Sequence, residues 1–474
     1  MTGTRGNDVR VLWSVPPLQA RTEVLIVGAG ACGCCAALAA QEGGAEIMLL
    51  ERDASPSGST ALSGGQIPAA GTALQRAAGI ADNAETLAAD LIAKSKGQCD
   101  TAMARHIALA SARTIDWLVA RHGLPLGVVD SFRYPGHSAF HMHGTPTLDG
   151  AELLGGLLSA LAASGIDLVT SARVRSLYAG PDRQIRAVGV VRPDGHEEVI
   201  GCAAVILACN GYGGNPALLR RYAPRIGKAH YHGHTGNTGD AALWGEALGA
   251  RIADMGSYQG HGAVTTPQMA HLGWACIAAG GFQVNAEGRR FSHENEGYSE
   301  QAAKVLAQPG GVAWTIFDER CHALGAQLHS HREAESLGAV LTAQTGVEMA
   351  WRIGCDAKVL AETLAEVAAM AAGRRRDPFG RDFTLSPTLV PPYRFAKVTG
   401  ALFHTQGGLE VDEDGRVLFQ DGTKAPNLFA GGGAARGLSG PADWGYLSGS
   451  GLLMATNLGR LAGEAAARQV VGTA

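Results

Sequence analysis

The sequence predicts an α/β protein in which a parallel sheet with flanking helices is built from two separated parts of the chain. The first part opens with an apolar run, Val24 to Val27, which leads into a glycine-rich turn, an alanine-rich helix and a second apolar run, Ile47 to Leu50. The last part repeats this pattern in "NLFAGGGAARG". Strands that alternate with helices form parallel sheets, so we expect both parts to contribute to one sheet.

Between these parts the character of the chain changes twice. Residues 85 to 165 place alanine and leucine at helical spacing, and residues 166 to 180 and 184 to 215 read as strands. His, Gln, Trp and Met accumulate from about residue 256. Near Pro391 the composition changes again, and the later chain returns to apolar runs followed by glycines. We therefore predict the segments 1–255, 256–392 and 393–474, with the middle one an inserted domain.

Composition excludes several classes of function. A formal net charge of −4 and 6% aromatic residues disfavour nucleic acid as a partner. No apolar run of about 18 residues predicts a membrane span. The nine cysteines are scattered without zinc or haem spacing, and the first twenty residues lack a signal-peptide pattern, which together favour a cytoplasmic protein with reduced thiols.

The clearest motif is Gly28-Ala-Gly30-Ala-Cys-Gly33, with a strand before it, a helix after it and Glu51 about 20 residues on. The first glycine makes the turn, the second admits a pyrophosphate and the third packs the helix on the strand. Phosphates then lie at the helix N-terminus, and the acid accepts from ribose hydroxyls. This arrangement predicts dinucleotide binding in a Rossmann-like domain.

The segment from Ser55 to Gly71 is small, hydroxylic and rich in glycine, where an NAD domain usually continues to its next helix. Its donors would follow a diphosphate and ribityl chain toward a flavin; the alternative is a flexible surface loop. Later strands also end in glycines that permit close approach of a cofactor. The predicted cofactor-binding residues are Gly28, Gly30, Ala31, Cys32, Gly33, Glu51, Arg52, Ser59, Thr60, Ser63, Gly64, Gly65, Val174, Ala208, Asn210, Gly211, Asp240, Gly432, Gly451 and Leu452.

A resemblance to a known family rests on seven segments in family order: "VGAGACG", "GSTALSGG", "VILACNGYGGN", "GNTGDAALWGEALGA", "NAEGRRFSHE", "FHTQGGLEVD" and "NLFAGGGAARG". With these the chain resembles the FAD-dependent fumarate reductase and succinate dehydrogenase flavoproteins. The resemblance implies an FAD-binding domain interrupted by an α+β capping domain, with the active site between them. Membrane-bound members attach FAD through a histidine just before the Thr that matches Thr60. Here Ser59 precedes it, which implies non-covalent FAD.

The same resemblance maps the family's dicarboxylate site onto this chain with substitutions. Its two histidines match His261 and His404, but its arginines fall on Tyr298 and near Tyr446, and its Thr-Glu pair falls near Gly273 and Trp274. A neutral phenol cannot form the charge-assisted pair that a guanidinium forms with a carboxylate. Fumarate reduction by the usual route is therefore not expected.

The stretch from Gly288 to Tyr298, "GRRFSHENEGY", resembles the "GRRFxNExxxY" pattern of 3-ketosteroid dehydrogenases, apart from His293. That likeness implies that Tyr298 removes a proton next to a ketone while hydride leaves the β carbon for flavin N5. His261 or Tyr446 would assist Tyr298, and His404 would donate to the ketone oxygen.

The same likeness implies that Tyr393 and the N–H of Gly400 or Ala401 hold the oxygen, and Trp274 is a candidate pocket residue. The alternatives are structural histidines, an aromatic that caps a loop and a core tryptophan. A further loop, Arg133 to Gly144, holds His137, His141 and His143. Their spacing is a weak metal signal, so no metal is predicted, and a substrate-side loop is the alternative reading.

Three hypotheses follow. The first is a dehydrogenase that desaturates a neutral ketone, cyclic or ketosteroid-like, and passes electrons to an unidentified acceptor. The second is an ene-reductase of an unsaturated acid or enone. The third is a flavin-binding subunit for electron transfer or structure, without a substrate pocket of its own.

Overall fold

The computed structural model describes residues 9–472 of the chain. Its strands, in chain order, are β1 (Arg10–Leu12), β2 (Ala20–Val27), β3 (Ile47–Leu50), β4 (Ile67–Pro68), β5 (Gly127–Val128), β6 (Met142–Gly144), β7 (Leu168–Val169), β8 (Arg173–Ala179), β9 (Ile185–Val191), β10 (Glu197–Leu207), β11 (His230–Tyr231), β12 (Ile252–Ala253), β13 (Tyr258–Thr265), β14 (Phe282–Val284), β15 (Val312–Asp318), β16 (Leu341–Ala343), β17 (Tyr393–Thr405), β18 (Gly408–Leu409), β19 (Arg416–Leu418) and β20 (Lys424–Ala430).

The α-helices are α1 (Ala31–Glu42), α2 (Ala73–Ala77), α3 (Ala84–Lys94), α4 (Thr101–Ala120), α5 (Gly150–Ala163), α6 (Pro216–Tyr222), α7 (Asp240–Leu248), α8 (Ala275–Ala278), α9 (Tyr298–Leu306), α10 (Glu319–Gly325), α11 (His329–Ser336), α12 (Gly346–Ile353), α13 (Ala357–Ala371) and α14 (Ser450–Val471). The helical region predicted over 85–165 is interrupted between α4 and α5. Gly123, Pro125 and Pro135 lie in that gap, where the chain forms β5, β6 and loops instead.

The first sheet has nine strands, in the order β1-β8-β9-β10-β2-β3-β7, with β20 on β10 and β19 on β20. Strand β2 is parallel to both β3 and β10, and β20 from the last part of the chain is parallel to β10. The two outer parts of the chain therefore complete one sheet. This arrangement confirms the predicted α/β fold class.

Helices α1 and α14 pack closely on this sheet. A Cβ on Gly459 would lie 2.4 Å from the carbonyl oxygen of Cys32, and one on Gly463 would lie 2.3 Å from that of Ala36. Both positions must lack a side chain because backbone meets backbone there. The last helix is thus locked beside the helix of the glycine-rich turn.

The second sheet has six strands, in which β17 pairs with β11, β13, β15 and β16, and β14 pairs with β15. Most of these pairs are antiparallel, and β11 is parallel to β17. Strand β17 begins at Tyr393, after the predicted boundary at residue 392, yet it belongs to this second sheet. The division into 1–255, 256–392 and 393–474 stays a prediction.

Helix α9 lies directly on β13 and β17. A Cβ on Gly260 would lie 2.7 Å from the Cβ of Ala302, and a Cβ on Gly400 would lie 2.2 Å from the Ala302 carbonyl oxygen. On Gly262 it would lie 2.7 Å from Gln301 Cγ. Glycine at these positions lets the helix sit low on the sheet.

A buried histidine joins the segment before β6 to α3 and to the residues just before that helix. His141 Nδ1 lies 2.6 Å from Asp82 Oδ2, and its Nε2 lies 2.9 Å from Asp90 Oδ2.

Over the described residues, no group of three or more His, Cys, Asp or Glu side chains is arranged to hold a metal ion. Within residues 9–472, no helix is long and apolar enough to cross a bilayer.

We predict that His141→Gln destabilises the fold by about 3 kcal/mol, because it removes a buried charge that two carboxylates surround. Burial alone would lower the pKa of His141, but the hydrogen bonds and charges of Asp82 and Asp90 outweigh it and raise this pKa. The stabilisation is therefore complete below the unfolded pKa of about 6.5 and is lost as the pH rises through the folded pKa.

Urea unfolding of both proteins across pH measures this difference. The gap between wild type and variant should narrow as the pH rises. The exposed His329 supplies the control, since His329→Gln should leave stability unchanged. A gap that widens with pH would contradict the assignment of a charged His141.

Candidate active site

One long cavity runs from the first sheet to the second. At one end, called here the dinucleotide end, it is lined by Gly28, Glu51 and Thr60. At the other end, called here the catalytic end, it is lined by His261, His271, Trp274, Tyr298, His404 and Tyr446. Residues from every predicted segment of the chain meet along this cavity.

At the dinucleotide end, the turn after β2 is fixed by its own backbone. Gly28 has φ of +105°, and a Cβ there would lie 2.6 Å from the Ala208 carbonyl oxygen. The Glu51 carboxylate accepts from the N–H of Ala29 and from that of Asp53, both at 3.0 Å. Only glycine tolerates this conformation and this space, as the motif predicts.

The hydroxylic segment lies beside the glycine-rich turn. Thr60 Oγ1 accepts from the Ala31 N–H at 2.9 Å, at the start of α1. Ser59 Oγ accepts from Asn210 Nδ2 at 2.7 Å and from Asn237 Nδ2 at 3.1 Å. The segment is thereby held in the wall of the cavity by named hydrogen bonds and is not a free surface loop.

Most of the predicted cofactor-binding residues line the cavity. They are Gly28, Gly30, Ala31, Cys32, Glu51, Arg52, Ser59, Thr60, Ser63, Gly64, Val174, Ala208, Asn210, Asp240, Gly432, Gly451 and Leu452. The structure places Gly33, Gly65 and Gly211 behind this wall. A Cβ on Gly33 would lie 1.8 Å from Gly28 O, one on Gly65 would lie 2.6 Å from Asp149 O, and one on Gly211 would lie 2.2 Å from Thr405 Oγ1. These three glycines therefore permit close packing of the protein.

The chemistry of this wall fits a dinucleotide. Helices α1 and α14 both begin at the cavity, with Gly30 and Gly449 as their N-caps. Helix N-termini bind phosphate through free backbone N–H groups. Gly28, Gly30, Gly432 and Gly451 line this wall without side chains, so the backbone there is open to close approach by a phosphate.

The catalytic end is an aromatic cluster around Tyr298. The His261 ring stacks on the Tyr298 ring at 4.9 Å and 27°, and the Tyr446 ring lies 6.1 Å from Tyr298. His404 lies 5.5 Å from Tyr446, and Trp274 lies 6.0 Å from Tyr298. The structure thus brings together five predicted residues that are distant in sequence.

These groups are uncharged near neutral pH. Burial, with Tyr446 nearby, raises the pKa of Tyr298 well above its usual value, and a hydrogen bond from Ser448 opposes this only in part. Burial raises the pKa of Tyr446 to about 12 and lowers that of His404 to about 4. Burial also holds the pKa of His261 well below its usual value.

Charged side chains lie at the dinucleotide end. Among the described residues that line the cavity, the cationic ones are Arg52 and Arg173, which lie beside Glu51 and Val174. No arginine or lysine belongs to the catalytic end as the described residues define it. The catalytic end therefore presents neutral hydrogen-bonding groups, whereas the charged groups line the dinucleotide end.

Two predicted substrate-binding residues do not reach the cavity. Tyr393 begins β17 opposite Asp318 and Ala343, at the far end of that strand from His404. Gly400 lies under α9, where a Cβ would meet the Ala302 carbonyl oxygen, and its neighbour Ala401 pairs with His261. Neither residue is among those that line the cavity, so the role of Tyr393 and Gly400 at the substrate stays a prediction.

Other lining residues have no signal in the sequence. His271 and Phe403 line the catalytic end, and Gln406 Nε2 lies 2.9 Å from His404 Nδ1. Tyr134, from the loop considered as a substrate-side loop, lies 6.3 Å from Tyr298 and accepts from Gln66 Nε2 at 3.3 Å. A family alignment is the signal that would point to such positions.

The nine-stranded sheet and the cavity define a dinucleotide-dependent enzyme with a substrate pocket at the far end of its cofactor site. The chain belongs to the FAD binding domain family, FAD_binding_2, whose model matches residues 23–452. FAD is accordingly its cofactor.

The chain is similar to a reductase and to a dehydrogenase of known name. A probable fumarate reductase from Shewanella frigidimarina is 29% identical over 458 residues, covering 95% of this chain and 75% of the relative. The 4-oxocyclohex-2-ene-1-carboxylate 5-dehydrogenase of Sinomonas cyclohexanicum is 29% identical over 356 residues, covering 66% of this chain and 59% of the relative.

Two solved structures share the fold. The open conformation of a flavocytochrome c3 fumarate reductase has a TM-score of 0.78 and 28% identity, covering 96% of this chain and 79% of the other. A 3-ketosteroid-Δ4-(5α)-dehydrogenase from Rhodococcus jostii has a TM-score of 0.76 and 24% identity, covering 96% and 98%. These findings confirm the predicted superfamily and an FAD-dependent oxidoreductase that acts on CH–CH groups.

We predict that Gly28→Ala abolishes FAD binding, because the new methyl group would lie 2.6 Å from the Ala208 carbonyl oxygen in a left-handed conformation. The measurement is the flavin-to-protein absorbance ratio of the purified protein. Gly155→Ala is the matched control, since a Cβ there meets nothing within 4 Å. A Gly28→Ala protein with a full complement of FAD would contradict the assignment of this turn.

Proposed function

We propose that this chain is an FAD-dependent dehydrogenase that introduces a C=C bond between the α and β carbons of a neutral ketone. The observation that supports this most is the uncharged catalytic end, where phenols and imidazoles surround the substrate space. An anion moved from water into such a site loses its hydration without gaining a cation, which is costly. A ketone needs only a hydrogen-bond donor.

One relative of the chain indicates which class of ketone to expect. The Sinomonas relative is named for a substrate with a six-membered ring and a ketone, together with a carboxylate. The catalytic end retains groups suited to a ring ketone and has no cation for the carboxylate among its described residues. We therefore favour a cyclic ketone, with ketosteroid-like compounds as the larger members of the same class.

His404 is the proposed donor to the ketone oxygen. Gln406 Nε2 lies 2.9 Å from His404 Nδ1, whereas the Thr405 carbonyl oxygen lies 3.4 Å from that nitrogen. We take the shorter contact as a hydrogen bond that Gln406 donates, which places the proton of the neutral ring on Nε2. That edge of the ring faces Gly451, where a Cβ would lie 3.2 Å from Nε2. An N–H fixed in advance beside the oxygen stabilises the negative charge that develops there.

Tyr298 is the proposed base for the α proton. FAD, when bound, supplies the acceptor for the hydride from the β carbon. The carbonyl acidifies the α C–H, and the phenolate of Tyr298 takes the proton. A hydrogen bond from Ser448 lowers the pKa of Tyr298 and so assists its ionisation. Trp274, Tyr134 and Tyr446 surround the ring and limit access of water.

The reverse reaction is the second candidate. Because burial keeps the Tyr298 phenol protonated near neutral pH, the same group is a proton donor for reduction of an enone. The fumarate reductase relative shows that the family includes reductases. Non-covalent FAD, a cytoplasmic location and an electron acceptor outside the chain complete the proposal. The absence of histidine before Thr60 supports the first of these.

Tyr298→Phe should retain FAD and lose turnover by at least about 100-fold, since it removes the only atom of the ring that moves a proton. Anaerobic mixing with a panel of cyclic ketones, followed by flavin bleaching, measures the rate. Tyr222→Phe, at a tyrosine that hydrogen-bonds Glu246 away from the cavity, is the control. An unchanged rate in Tyr298→Phe would remove the tyrosine from the mechanism.

The pH dependence separates the two directions. If Tyr298 acts as a base, its raised pKa leaves little phenolate near neutral pH, so kcat/KM for ketone oxidation should rise steadily between about pH 6 and about pH 9. For enone reduction the protonated phenol is required, and the same profile should be flat. A ketone profile that falls with rising pH would exclude Tyr298 as the base.

A further inference from the structure

Both ring nitrogens of His261 are already engaged by the protein. His261 lies in β13 at a register irregularity that separates it from Val264. There the Ala263 N–H donates to His261 Nδ1 at 3.1 Å. A nitrogen that accepts a hydrogen bond carries no proton, so the neutral His261 ring is protonated at Nε2.

This assignment fixes the state of a second histidine. His261 Nε2 lies 2.8 Å from His271 Nε2. Since His261 donates, His271 must accept at Nε2 and carry its own proton on Nδ1. Burial lowers the pKa of His271 to about 3, so its ring is neutral and a single proton remains to be placed.

The Nδ1–H of His271 is the ring donor that the contact with His261 leaves available. His271 is half-buried and lines the cavity, with its ring 5.4 Å from Phe403 at 77°. Over residues 9–472, the His271 side chain makes one hydrogen bond to the protein, the one between its Nε2 and His261 Nε2. The bridge between Val264 and His271 holds its backbone against β13.

We propose that the Nδ1–H of His271, and not His261, is the second imidazole donor to the substrate. His261 is then a positioning residue that fixes the His271 tautomer and stacks on Tyr298. The inference rests on the proposed function for the nature of the ligand, whereas the tautomers follow from the hydrogen bonds alone.

The proposal narrows the substrate class. His404 and His271 lie at opposite ends of a ring series in which Tyr446, Tyr298 and His261 intervene. The ketone oxygen accepts from His404. A second neutral acceptor on the substrate ring, a hydroxyl or a carbonyl, accepts from His271. We expect a cyclic ketone with a second uncharged oxygen to be used better than the unsubstituted ring.

The first experiment needs no substrate. Nitrogen-15 NMR of histidine-labelled oxidised holoenzyme, assigned by the signals lost in His261→Phe and His271→Phe, should show His261 protonated at Nε2 and His271 at Nδ1. In His261→Phe the His271 signal should shift, because its fixed acceptor role is lost. The exposed His329→Phe should change neither signal. A His271 ring protonated at Nε2 in the wild type overturns the proposal.

The second experiment measures flavin reduction with 4-hydroxycyclohexanone and with cyclohexanone. His271→Phe should raise KM for the hydroxy ketone about 10-fold more than it raises KM for cyclohexanone, the effect of one lost hydrogen bond. His271→Asn keeps a donor and should recover part of the loss. Equal effects on both ketones overturn the proposal. If no ketone reduces the flavin in wild type, the proposed function fails, and the NMR result still decides the tautomers.

Discussion

The close approach of α9 to the second sheet is the constraint on which the catalytic end depends. Gly260 and Gly400 have no side chain at the positions where Ala302 of α9 packs against the backbone of β13 and β17. Because the helix sits this low, its first residue, Tyr298, places its ring against His261. Gly260 N–H also donates to Ser299 Oγ at 3.0 Å, and that hydroxyl donates to the Asp443 carbonyl at 3.1 Å. One packing contact thus aligns β13, α9 and the segment that carries Tyr446.

The cavity separates charge along its length. Glu51, Arg52 and Asp240 lie at the end where the dinucleotide motif is found, and the other end is built of phenols and imidazoles that burial keeps neutral. In a low-dielectric site each hydrogen bond counts for more, and each uncompensated charge costs more. The burial that disfavours an anion in the proposed substrate space also makes the Tyr298 phenol a weak acid. The proposed selectivity for a neutral substrate and the proposed high-pKa base therefore have one physical origin.

The dinucleotide end was predictable from sequence because its determinants are local. Gly28 must adopt a left-handed φ within a short turn, and a strand and a helix must flank it, so a few adjacent residues reveal the site. The proposed catalytic residues Tyr298 and His404 were predicted only through a family resemblance. Gly400 was assigned to the substrate by the same resemblance, and the sequence does not show that α9 covers this part of β17. His271 was not predicted because its role arises from a contact with His261 that only the folded sheet creates.

The two donors proposed for the substrate share a single support. His261 pairs with Ala401 across β13 and β17, and His404 pairs with Gln259 on the same two strands. His271 is attached to this unit through its hydrogen bond to His261 and its backbone bridge to Val264. Strand β17 continues through His404 to β18, which pairs with β12. The second sheet thus fixes where both proposed donors are attached. A substrate held by both would be oriented by the second sheet, while residues of the first sheet and α14 line the dinucleotide end of the cavity.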